Sequence, residues 1–146
     1  MIAFLTNETS NCVTQEETKF FQDTFSYMDF IRSSKEEQRC IMCVISHGLI
    51  SVELLHELDS LEYIHSIIDY NPSSAVTYSG YLKIKSVATT LDQLQFQLSH
   101  TLAIYYRQEG NRDIEREEFD LAEKYYLKSQ TYLKNLSNSV PIDDDE

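Results

Sequence analysis

Apolar and polar positions alternate along this chain mostly with the period of a helix. A capping-box pattern at Thr14-Gln15-Glu16-Glu17 predicts a helix running to about Arg32, with Phe21, Phe25, Met28 and Ile31 on one face. A second capping box at Ser34-Lys35-Glu36-Glu37 predicts a helix through Ile41, Val44 and Ile45 that stops at Gly48, a natural left-handed terminator. Val52 to Asp69 reads as a third helix with a fresh cap available at Asp59-Ser60. Asn71-Pro72 is the clearest break, because the residue before proline is pushed away from helical angles. Residues 74–109 read as one or two helices. Leu91, Leu94, Leu98, Leu102 and Tyr105 recur there at spacings of 3, 4, 4 and 3, and Thr90 offers a restart. After Gly110-Asn111, the run Phe119, Ala122, Tyr126, Ser129, Leu133 and Leu136 recurs at 3, 4, 3, 4 and 3. Only Ile2-Ala3-Phe4-Leu5 is open to a strand, a buried tail or a cap.

These patterns predict an all-α fold of antiparallel helical hairpins, either a repeat array or a bundle. The expected organisation is an N-terminal segment (1–13), one helical domain (14–136) with a sub-boundary near 71–73, and a disordered acidic tail (137–146). The presence of only 3 glycines and 2 prolines agrees with few turns.

Composition adds a charged surface. Lysines and arginines number 12 against 24 acids, and none occurs between Arg39 and Lys83. A stretch so poor in positive charge repels phosphate, which argues against direct nucleic-acid binding and favours a basic protein or peptide partner. The odd count of 3 cysteines suggests a reducing compartment. The start lacks a basic segment followed by an apolar run, and no stretch approaches the roughly 20 apolar residues of a membrane span, so a cytoplasmic location is expected.

Candidate chemistry is sparse. Cys40-x-x-Cys43 falls mid-helix in this reading, where cysteines act as small hydrophobes. A zinc site from Cys40, Cys43, His47 and distant Cys12 is the sharper alternative. Glu53-x-x-His56 and Glu62-x-x-His65 echo di-iron bundle motifs, but a spacing of nine residues puts the two on opposite faces of one helix. No phosphate-binding glycine loop, nucleophile elbow or zinc-protease motif is present, so neither a metal, a cofactor nor an enzymatic reaction is expected.

Two segments resemble tetratricopeptide-type helical repeats: Asp69-Tyr70-Asn71-Pro72-Ser73-Ser74-Ala75, and Leu102-Ala103, Tyr106 and Gly110 with Phe119, Ala122 and Tyr126. The resemblance spans 69–136 and implies a scaffold whose groove, lined by Tyr78, Tyr81, Tyr105 and Arg107, holds a protein or peptide. Arg39 to Gly48, RCIMCVISHG, also resembles the strand and His-Gly turn of the caspase large subunit. That would make His47 a catalytic histidine, but no cysteine lies in the matching nucleophile motif and a helical remainder does not fit a sheet-based fold.

The functional expectation is a non-catalytic adaptor or regulator, with homodimerisation through Phe119–Leu136 as a close variant. One alternative is an acidic inhibitor that mimics nucleic-acid charge with Glu53, Glu57 and Glu62. A zinc-stabilised domain or metalloenzyme is the other.

Overall fold

A computed structural model describes residues 1–6, 18–33, 42–46, 48–71 and 80–139. Among them the elements are β1 (Ile2–Leu5), β2 (Thr18–Phe21), α1 (Thr24–Ser33), β3 (Met42–Ser46), α2 (Val52–Ser60), β4 (Ser66–Tyr70), β5 (Ile84–Ala88), α3 (Leu91–Glu115) and α4 (Phe119–Ser139). The chain divides into two compact units, Met1–Leu94 and Gln95–Glu146.

The first unit is an α/β fold, which overturns the all-α expectation and with it the array of helical repeats. Its strands form a 5-stranded sheet in the order β2-β1-β3-β4-β5, and every pairing is parallel. Four of the five positions of β3 and of β4 are buried, as are all of β1. Parallel strands covered on both faces need apolar residues at successive positions, so they lose the two-residue alternation that marks a half-exposed strand. Met42-Cys43-Val44-Ile45 and Ile67-Ile68 are such runs, and periodicity alone cannot tell them from pieces of a buried helix. The helix expected over Ser34–Gly48 contains β3, the end of the one expected over Val52–Asp69 is β4, and the helices expected up to Arg32 and over 74–109 give up Thr18–Phe21 and Ile84–Ala88 to β2 and β5. The capping boxes at Thr14 and Ser34 lie outside the described residues, as does the end of the acidic tail.

Parallel neighbours cannot be joined by a hairpin, so the chain must cross over the sheet. The crossovers β2–α1–β3 and β3–α2–β4 advance in the same direction, and the right-handed rule then puts both helices on one face. The core agrees. Tyr27 and Ile31 of α1 and Leu58 of α2 pack in one cluster with Ala3, Leu5, Cys43, Ile45 and Ile67. The phenol of Tyr27, fully buried, donates a hydrogen bond of 3.0 Å to the Ala3 carbonyl. α2 begins where Ser51 accepts a hydrogen bond from the Leu54 amide at 3.3 Å. α3 begins in the same way, the Thr90 hydroxyl accepting from the Gln93 amide at 3.1 Å.

The second unit contains α4 and most of α3. Ser129 donates to the Ala103 carbonyl at 2.6 Å, and Ala103 and Ala122 are both buried. Gly110 does not end a helix, since α3 continues to Glu115. Its missing side chain serves packing: a Cβ there would stand 2.7 Å from the Tyr126 ring. Of the repeat-like motif, Gly110 and Tyr126 meet across this hairpin while Phe119 is exposed, and the sheet occupies the chain that further hairpins would need.

Two substitutions test the core of the first unit. Tyr27→Phe removes the hydrogen bond to the Ala3 carbonyl and should cost about 0.5–1.5 kcal/mol. Leu58→Ala should cost about 2–5 kcal/mol. Urea unfolding of the full chain measures both.

Candidate functional site

The carboxyl ends of parallel strands are where open α/β sheets gather ligands, because the connecting loops leave crevices there. In this protein a cleft of about 270 Å³ lies on the helix-covered face of β3–β5 and reaches that edge at Gly48 and Ile50. Ile45 of β3, Ile67 and Asp69 of β4 and Ile84 of β5 line it from the sheet. Gly48 and Ile50 line it from the loop after β3, Val52 and Leu55 from α2, and Tyr81 from the approach to β5. All belong to the first unit.

Among the described residues Asp69 is the only carboxylate in this lining, and it is 6% exposed. Alternation along β4 explains its direction: Ile67 points to the α1/α2 face, so Asp69, two residues on, points the same way. Tyr81 forms the opposite lip, stacked on the His56 ring with centroids 4.6 Å apart and its hydroxyl 3.4 Å from His56 Nε2.

The rims are held by backbone contacts. Gly48 and Gly80 have φ of 86° and 88°, the left-handed region where a Cβ is costly, and each turns the chain into a segment that borders the cleft. The Thr24 hydroxyl donates to the Leu49 carbonyl at 2.6 Å, tying the loop after β3 to α1. Asp59, at the end of α2, accepts from the backbone amides of Leu82 (3.2 Å) and Lys83 (2.8 Å) and so fixes the segment bearing Tyr81. Lys83 donates to the Leu61 carbonyl, and burial holds its amine below the ordinary lysine range.

The residues singled out from the sequence are scattered. Tyr81 lines the cleft. Glu53 is exposed in the first turn of α2, and Glu62 is exposed beyond that helix's end. Glu57 pairs with Arg32 of α1 through two hydrogen bonds, of 2.8 and 2.7 Å. These three acids therefore do not form a free row of carboxylates. Tyr105 and Arg107 sit on α3 in the second unit, Tyr105 against the edge of the Tyr106 ring at 5.1 Å. Tyr78 lies outside the described residues.

The metal readings fare differently from their premises. Cys43 lies in a strand and is buried, so the shared helix face of the proposed zinc set is gone; Cys12, Cys40 and His47 lie outside the described residues. Glu53 and His56 are in α2, while Glu62 and His65 follow it and His65 Nδ1 meets the Ser66 hydroxyl at 2.9 Å. Among the described residues no group of three His, Cys, Asp or Glu side chains could hold a metal ion.

The caspase-like segment gains from the fold. Its Met42–Ser46 is a strand of a parallel sheet with a left-handed glycine just past its carboxyl end, so the objection from a helical remainder falls. The neighbouring strands β1 and β4 are followed by Thr6 and Asn71, not by cysteine.

Asp69, Gly48 and the isoleucine floor were missed because β3 and β4 read as helix. The available signal was an acid closing a β-branched run, Ile67-Ile68-Asp69, just before Asn71-Pro72. Compared with protein-family models, curated proteins and solved structures, the chain shows no match to any of them. No helix among the described residues is long and apolar enough to cross a membrane.

The Arg32–Glu57 pair makes a pH prediction. Hydrogen bonding from Arg32 lowers the Glu57 carboxyl below its ordinary value of 4.5. Its contribution to stability is thus fully present above that value and is lost as pH falls through the lower folded-state value. Comparing urea midpoints from neutral to acid pH, Arg32→Gln should remove this part of the acid sensitivity.

Proposed function

We propose that this chain is a non-catalytic protein-interaction module whose cleft at the β3–β5 edge receives one basic side chain of a partner protein or peptide. The observation that carries the proposal is Asp69, a carboxylate at the edge of an otherwise largely apolar recess. Arginine and lysine pair an apolar stem with a charged head, and Ile45, Ile50 and Leu55 suit the first as Asp69 suits the second. Size agrees. At about 270 Å³ the cleft falls just below the roughly 300–1,000 Å³ of sites that engulf a small molecule, and suits one side chain better than a cofactor. A net charge of −12 would draw basic partners and speed encounter.

A panel of short peptides differing at one central residue tests this by fluorescence anisotropy. Arginine or lysine should bind, and citrulline, which keeps arginine's shape without its charge, should bind about tenfold more weakly, the equivalent of 1.4 kcal/mol. Asp69→Asn should erase that difference. Asp59→Asn, outside the lining, should weaken all peptides by freeing the Tyr81 segment. Equal binding of citrulline and arginine peptides would sink the reading.

A second reading, a degenerate caspase-like protease unit, is favoured by the parallel β3 strand and the Gly48 turn. Incubation of the full chain with the peptide panel separates the two: cleavage of a peptide bond supports the second reading, and reversible binding without cleavage supports the first.

A further inference from the structure

The edge that the cleft reaches bears large apolar side chains from which the core of the first unit gains little. Val52, the first residue of α2, lines the cleft and is nevertheless 60% exposed. Phe25, in the first turn of α1, is 82% exposed. Both stand at the same edge. α1 follows β2 and α2 follows β3, so in a parallel sheet their first turns lie at the carboxyl ends of the strands. A hydrogen bond links the two places. The Thr24 hydroxyl, one residue before Phe25, donates to the carbonyl of Leu49, and the next residue, Ile50, lines the cleft.

A single exposed apolar side chain is ordinary. Two on neighbouring helix starts, beside a recess that contains a carboxylate, form a rim, and charge says what covers it. Asp23 and Glu53, both exposed, flank Phe25 and Val52. The Ser26 amide donates to Asp23 at 2.8 Å and holds its carboxyl below the ordinary value, so it stays ionised. No lysine or arginine occurs from Gln22 to Asp29 or from Gly48 to Glu62. A second copy laid on this rim would set these acids against their own counterparts, and an anionic lipid surface would be repelled in the same way. A segment of another protein with both basic and apolar side chains meets neither objection.

We infer that the rim is a second half of the binding surface, and that the partner segment carries a large apolar side chain near its basic residue. The basic side chain enters the cleft toward Asp69, and the apolar one packs on Val52 and Phe25. This rests on the reading of the cleft as a site for one basic side chain. Successive residues of an extended segment stand about 3.3 Å apart, so the apolar residue belongs within a few positions of the basic one.

Anisotropy titrations of the full chain test the inference, using peptides with a central arginine and otherwise glycine and serine. One leucine is scanned through the positions on either side. At one or more of them it should tighten binding about five- to tenfold, the effect of partly burying its side chain. Phe25→Ser should abolish most of that gain and keep the difference between arginine and citrulline peptides, whereas Phe25→Leu should retain the gain. Circular dichroism of both variants should match the parent, because the side chain lies outside the core. A leucine that tightens binding at no position overturns the inference, as does a gain that Phe25→Ser leaves intact. Dimerisation of the chain alone that Phe25→Ser abolishes also overturns it, by giving the rim to a second copy. Equal binding of arginine and citrulline peptides is a different result, and sinks the reading of the cleft itself.

Discussion

The parallel pairing of β3 with β1 on one side and β4 on the other is the constraint from which most of the first unit follows. A parallel ladder cannot be closed by a short turn, so α1 and α2 must exist to carry the chain back across the sheet. Because both crossovers run the same way, both helices cover one face, and their apolar sides meet the sheet at Ala3, Leu5, Cys43 and Ile45. The same requirement aligns the carboxyl ends of all the strands along one edge. Loops collect there, and so does the recess that contains Asp69. A single pairing rule thus links the core to the cleft.

That rule also explains what was legible in the sequence. α4 was readable almost end to end, since a helix with one buried stripe keeps its 3.6-residue signature. The start of α2 at Val52 was readable too, and Thr90 offered the start of α3 as a restart within a longer helical reading. β3 and β4 were not, since a strand buried on both faces has no polar side to alternate with. Gly48 was correctly read as a left-handed position, but as the end of a helix rather than the turn after a strand. Gly110 was read as punctuation because local propensity says so, whereas the Tyr126 ring demands an empty Cβ position in mid-helix. The cleft was legible only at Tyr81. Asp69 draws its meaning from Ile45 and Ile84, partners far away in sequence.

Charge behaves in a similarly divided way. The excess of acids was plain from composition, yet its functional weight is unequal. Glu57 is neutralised by Arg32 across two helices, and Asp59 accepts two backbone amides and shapes the loop bearing Tyr81. Asp69, drawn into the sheet, is shielded from the salt that screens surface acids such as Glu53. Counting carboxylates describes the long-range field of this protein; location decides which of them recognises anything.

The burial of Cys43 changes the meaning of the cysteine count. An odd total argues for a reducing compartment only if every thiol is free to find a partner. Cys43 is sealed in β3 with no exposed surface, beyond the reach of oxidants or another chain's thiol. Setting it aside leaves Cys12 and Cys40, an even number. The packing of the sheet, rather than the redox poise of the surroundings, keeps this thiol reduced, and the same fold would protect it on either side of a cell boundary.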